Sequence, residues 1–156
     1  MADSFDTEMM ARALRLARQG RYRTRPNPAV GCVLVRQGNI IGEGSTRPAG
    51  GNHAEIEAME AARKAGHELR GATAYVTLEP CSHTGRTGPC AVALAQAGIS
   101  RCVIALQDPN PVVGGDGIKA LVEAGIQVDI GVLEAEAELV NPGFLKRMRR
   151  GLPLVR

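Results

Sequence analysis

The chain has no tryptophan, two tyrosines and two phenylalanines among its 156 residues. So few aromatic rings leave no platform on which unpaired bases could stack, which argues against a single-stranded nucleic-acid binder. No apolar run reaches the roughly 18 residues of a transmembrane helix, so no membrane span is expected. Residues 1–10 carry acids and lack the apolar stretch of a secretory signal, the pattern of a cytoplasmic protein. In that setting four cysteines point to reduced thiols and metal binding rather than to disulfides. The net charge of +3 is mildly basic. The Arg12 and Arg15 face of the first helix, and the basic run from Lys146 to Arg150, are expected to be solvated surface. There are no internal repeats and no low-complexity tract, and the length suits one domain with a real core.

What is present concentrates between His53 and Cys90. His53-Ala54-Glu55 opens a stretch with Ile56, Met59 and Ala62 or Arg63 in helical register, stopped by Gly66. Pro89-Cys90 opens a second helix start that stops at Gly98. Cys81 follows Glu79-Pro80 at the end of a strand over residues 72–78. One imidazole and two thiolates form the three-ligand set of a catalytic zinc, with the fourth position left to water. Helix N-termini carry partial positive charge and favour thiolate. His53, Cys81 and Cys90 are thereby expected on the rim where open α/β sheets bind ligands. Two thiolates cancel the zinc charge, so water bound there needs a base. Glu55 is placed to take its proton, pass it to a substrate ring nitrogen and then to a leaving amine. This is the arrangement of hydrolytic zinc deaminases, whose pattern is H-x-E…P-C-x-x-C. Here residues 82–89 separate the cysteines instead of two. A structural zinc would need a fourth protein ligand. His83 is the spare donor, and a non-catalytic zinc-binding module is the competing reading.

The remaining segments form a scaffold. Residues 6–20 read as an amphipathic helix with Met9, Ala13, Leu16 and Gly20 on one face. Residues 29–36 and 40–45 read as a strand pair turned by Gln37-Gly38-Asn39. A strand at 100–106, a helix at 117–125 and a strand at 126–132 continue the rhythm begun by strand 72–78 and helix 90–98. They predict consecutive parallel β-α-β units. Cys32 and Cys102 lie in apolar strands and are expected in the core. Glu57, Glu60 and His67 are expected at the surface. An acidic helix over 133–140 is closed by Asn141-Pro142-Gly143. Asn27, between Pro26 and Pro28, suits turn chemistry. The glycines of Gly114-Gly115-Asp116-Gly117 lack the full fingerprint of a nucleotide loop.

Four stretches together resemble the pyrimidine deaminase half of the bifunctional riboflavin-biosynthesis deaminase/reductase, in the cytidine deaminase-like superfamily. They are Pro26-Asn27-Pro28-Ala29-Val30-Gly31, Thr77-Leu78-Glu79-Pro80-Cys81, the insert CSHTGRTGPC from Cys81 to Cys90, and Asp108-Pro109-Asn110-Pro111. The resemblance covers nearly the whole chain, and its combination of motifs is more specific than any one of them. It implies a three-layer α/β/α fold with a five-stranded mixed sheet, antiparallel in its first hairpin and parallel afterwards. It implies a Zn2+ cofactor and the substrate diamino-ribosylaminopyrimidinone 5′-phosphate, a small pyrimidine nucleotide. By the resemblance, Asn27, His83, Arg86, Asp108 and Asn110 are substrate contacts, with Arg86 near the phosphate. Solvated-loop readings of His83 and Arg86 stay open beside that. The family carries His at the position of Thr46 and Pro at that of Gly88. These departures bear on fine recognition and leave open another base: cytosine or cytidine, guanine, or tRNA adenosine. The resemblance also implies homo-oligomers and a deaminase domain over 1–145. Residues 146–156 would be a basic tail or the start of a linker to an NADPH-dependent reductase domain.

Overall fold

The computed structural model describes residues 3–20, 29–47, 53–81, 90–109 and 114–141. Five helices and five strands follow one another along the described residues. They are α1 (Ser4–Gly20), β1 (Gly31–Arg36), β2 (Asn39–Ser45), α2 (Ala54–Lys64), β3 (Thr73–Val76), α3 (Cys90–Gln96), β4 (Arg101–Ile104), α4 (Asp116–Glu123), β5 (Gln127–Ile130) and α5 (Glu134–Glu138). The strands make one sheet in the order β2-β1-β3-β4-β5. β1 is antiparallel to both neighbours, while β3, β4 and β5 are parallel. This is the expected mixed sheet. No described helix is long and apolar enough to cross a membrane.

Side chains alternate across a strand with period two, so each strand feeds both faces. Cys32, Leu34, Ala74, Val76, Cys102 and Ile104 face a core shared with Met59 of α2, Leu94 of α3 and Leu121 of α4. Val33, Val35, Tyr75 and Val103 face the opposite core, with Met10 and Leu14 of α1 and Ala137 of α5. The three-layer α/β/α arrangement follows, and both faces are covered. That is why β1 carries a continuous apolar run from Cys32 to Val35 rather than alternating.

The first hairpin turns on two residues, Gln37 at φ 54 and Gly38 at φ 77. Two left-handed residues match the twist of the flanking strands. Asn39, expected in the turn, pairs with Arg36 as the first residue of β2. The strands of the parallel half are shorter than expected. β3 ends at Val76, and Thr77 continues the pairing through backbone and side chain: its N–H donates to Gly31 O and Gly31 N–H donates to Thr77 Oγ1, each at 3.1 Å.

α1 buries Met9 and Ala13 as expected, but its buried stripe turns away from Leu16. Met9, Met10, Ala13, Leu14 and Ala17 are buried, and Leu16 is only partly so. The reason is a backbone contact. A Cβ on Gly31 would stand 1.9 Å from Ala13 O, so the small residues of α1 define the line along which it meets β1. The helix start is a reciprocal cap: Asp6 N–H donates to Asp3 Oδ1 at 2.8 Å and Asp3 N–H to Asp6 Oδ2 at 3.4 Å.

Asp6 also anchors a buried network that spacing alone did not suggest. Tyr75 donates to Asp6 Oδ1 at 2.6 Å, and Arg101 forks onto both Asp6 oxygens at 3.0 and 2.8 Å. Arg101 Nε donates to Asp129 Oδ2 at 2.8 Å. One guanidinium thereby joins α1 to β4 and β5, with β3 attached through Tyr75. The Arg101 hydrogen bond holds the Asp6 carboxyl at about 2, against an ordinary value of 3.8, while burial opposes it. A depressed carboxyl stabilises the fold above its ordinary range, and that stabilisation is lost as pH falls through the folded value. It corresponds to about 2 kcal/mol. Asp6→Asn is therefore expected to lower stability at pH 7 by about 2 kcal/mol. The gap between variant and parent should close between about pH 4 and pH 2. Urea midpoints across that range check this, and a gap independent of pH would remove Asp6 ionisation as its cause.

Candidate metal centre

His53 stands as the residue before α2, in extended backbone (φ −74, ψ 163), and its carbonyl accepts the Glu57 N–H at 3.1 Å. It is the cap of the helix rather than part of the first turn, where Glu55 lies. α2 is seated directly on β2. A Cβ on Gly42 would come within 2.4 Å of Ala58 O, and one on Gly44 within 2.6 Å of Ala54 O. Backbone therefore meets backbone beside the residue that bears the imidazole.

Cys90 is the first residue of α3 and fully buried. With seven residues, α3 is too short to persist on helical propensity. Burial of Cys90, Ala91 and Leu94 holds it in place. Cys81, half-buried, follows the end of β3 and is tied to α3 twice. Cys90 N–H donates to Cys81 Sγ at 3.2 Å, and Ala91 N–H to Cys81 O at 2.9 Å.

The three donors converge. His53 Nδ1 lies 3.2 Å from Cys90 Sγ and 3.8 Å from Cys81 Sγ, and all three ligand atoms lie within 4.8 Å of one another. A tetrahedral zinc with ordinary Zn–S and Zn–N bonds has edges of about 3.5–3.8 Å. The donor set and its separations fit such an ion. Among the described residues this is the one cluster of three or more potential ligands.

The charges around it are uneven. The hydrogen bond from Cys90 and a second from His53 hold the Cys81 thiol down at about 4, against burial. The bond to Cys81, then burial, push the Cys90 thiol up. His53 is raised by its bond to Cys81. Glu55 is 4% exposed, and burial lifts its carboxyl to about 7. It lies outside the donor cluster.

The other expected residues divide. Cys32 and Cys102 are fully buried core thiols, raised by burial. His67 is exposed. Asp108 is half-buried where the chain leaves β4, on the same rim as Cys81. Asn27, His83, Arg86 and Asn110 lie outside the described residues, as does the tail at 146–156. Three features escaped the sequence reading. Thr46, expected near the pocket, accepts the Val30 N–H on its Oγ1 at 3.0 Å and extends the β1–β2 pairing. Asn141, expected only to end a helix, brackets Ala29: Ala29 N–H donates to its Oδ1 at 2.9 Å and its Nδ2 donates to Ala29 O at 3.0 Å. Glu79, a buried acid beside a strand-end proline, gathers three backbone amides (Asp108, Gly115 and Ile118). An acid next to a predicted metal ligand was the available signal for the last.

Residues 3–106 match the family described as the cytidine and deoxycytidylate deaminase zinc-binding region, and the chain belongs to that family. Within it, the similarity is to riboflavin-biosynthesis deaminases. The chain is 56% identical over 150 residues to riboflavin biosynthesis protein RibD of Escherichia coli, covering 96% of this chain and 40% of that relative. It is 48% identical over 148 residues to the diaminohydroxyphosphoribosylamino-pyrimidine deaminase of Buchnera aphidicola subsp. Schizaphis graminum, covering 95% of this chain and 99% of that one. The solved structure of Acinetobacter baumannii RibD superposes with a TM-score of 0.91 at 50% identity, over 96% of this chain and 41% of that one.

A zinc ion held by both sulfurs would bind them as thiolates, so its uptake would release a thiol proton. Affinity for zinc is expected to weaken by about tenfold for each pH unit lowered through the neutral range. Chelator competition at several pH values measures it. Cys90→Ser should lose stoichiometric metal, and a variant that keeps one tightly held ion per chain would exclude Cys90 as a ligand.

Proposed function

We propose that this chain is a zinc-dependent hydrolytic deaminase acting on the diamino-ribosylaminopyrimidinone 5′-phosphate of riboflavin biosynthesis. The observation that carries this reading is the convergence of three metal-competent donors beside buried Glu55, at the carboxyl ends of parallel strands. The name of the Buchnera relative, matched over nearly its whole length, supports the substrate class.

His53, Cys81 and Cys90 would hold the ion. Bound there, zinc supplies the Lewis acidity that makes water nucleophilic near neutral pH. Glu55 accepts a proton from the attacking water as its oxygen bonds to the amine-bearing ring carbon, and delivers that proton to the ring nitrogen. It then takes the remaining proton of that water, now on the new hydroxyl, and gives it to the amine. The carbon–nitrogen bond breaks, ammonia leaves and a ring carbonyl remains. A carboxyl near 7 is suited to both directions of transfer. Asn27, His83, Arg86, Asp108 and Asn110 form the substrate set, and the planar fork of Arg86 suits a phosphate. The deaminase domain spans 1–145.

Ammonia release tests the assignment. The zinc-loaded protein should act rapidly on the phosphorylated pyrimidinone and feebly on its dephosphorylated form, cytidine, guanine or an adenosine-bearing RNA hairpin. Release only from another base would overturn the substrate. Glu55→Gln should keep its zinc and lose turnover by about 10²–10⁴-fold. Undiminished turnover would remove Glu55 from the mechanism.

A further inference from the structure

We infer that Glu79 is a positioning residue, which locks the metal-bearing end of β3 to the rim segment running from β4 into α4. Its catalytic consequence rests on the deaminase reading. Glu79 lies two residues before Cys81 and is 6% exposed. Its Oε1 accepts the N–H groups of Asp108 and Gly115, each at 3.0 Å, and its Oε2 accepts that of Ile118 at 2.9 Å. Its own N–H donates to Leu106 O at 2.9 Å. One residue therefore grips the rim where it leaves β4, where it reaches α4, and inside the first turn of that helix.

A second contact closes the same joint. A Cβ on Gly117 would stand 1.8 Å from Pro80 O, so the start of α4 rests directly on the residue between Glu79 and Cys81. The glycine cluster at 114–117 thereby gains a reason that needs no nucleotide. Gly117 permits the contact, and the Gly115 and Ile118 amides are already taken by an internal acid. A negative group is favoured at that helix start, and Glu79 supplies it. The α4 terminus is therefore not bare, and the rim that carries Asp108 is held in register with the candidate metal donors.

Glu79 is outside the donor cluster, so its loss should spare the ion. In Glu79→Gln, one carboxylate oxygen becomes an NH2 that faces a backbone N–H whichever way the amide turns. The zinc-loaded full chain should keep one metal per chain. The Asp108, Gly115 and Ile118 amides should exchange with deuterium about tenfold faster, while those of β1 and α1 stay as in the parent. KM for the phosphorylated pyrimidinone should rise about tenfold with kcat little changed. Should that variant fail to fold, Glu79→Asp, which keeps the acid and shortens its reach, carries the same measurements. The inference is overturned if the three amides keep their parental rates, if exchange accelerates evenly through the chain, or if kcat falls at constant KM with loss of metal. A parent that releases no ammonia from any substrate overturns the deaminase reading instead, and the three amide rates then decide Glu79 by themselves.

Discussion

Three donors from three separate elements must stand within 4.8 Å of one another, and the architecture is arranged around that demand. Side-chain packing tolerates shifts that a tetrahedral ion does not. The contacts that set these donors are accordingly made by backbone. α2 rests on Gly42 and Gly44, the Cys90 amide donates to the Cys81 sulfur, and the next amide donates to the Cys81 carbonyl. Loosening any of these moves a ligand atom directly, without a flexible side chain to absorb the error.

Buried carboxyls show how the same chain produces opposite electrostatic results. Among the described residues the buried acids are Asp6, Glu55 and Glu79. Asp6 receives a forked guanidinium and a phenol, and its carboxyl is held down at about 2. Glu79 is surrounded by three backbone amides. Burial lifts Glu55 to about 7. Asp6 and Glu79 tie elements together through these hydrogen bonds, whereas Glu55 lies beside the candidate metal donors. Surroundings, not residue type or depth, set these carboxyls apart.

Much of this was legible in the chain. Helical register and glycine stops located α2 and α3, and the spacing of His53, Cys81 and Cys90 marked the metal site, because a ligand set is a local chemical pattern carried on element ends. The boundary shifts are small: His53 is a cap rather than a first-turn residue, and β3 stops where Thr77 continues its pairing. What escaped was long-range and polar. Arg101 and Asp6, or Asn141 and Ala29, meet only because the topology brings them together, and neither has a periodicity to betray it. The stripe of α1 was partly misplaced for a related reason. Apolar periodicity sets Leu16 beside Met9 and Ala13, whereas the buried line follows the small residues that admit Gly31.

That preference for smallness returns to the scarcity of aromatics. At Gly31, Gly42, Gly44 and Gly117 there is no room for even one added carbon between helix and neighbouring backbone. Across those seams Ala13, Ala54 and Ala58 face the glycines, and a tryptophan would hold the layers apart. Bulk is kept to positions between the seams, such as Tyr75, Met10 and Leu14. The arrangement gives up some apolar area per helix in exchange for short, direct backbone contacts, and it does so mainly where those contacts set the metal rim. On this view the low aromatic content and the precise placement of His53, Cys81 and the α4 joint have one origin. A ligand-binding rim assembled from three element ends needs stiff seams more than it needs a large core.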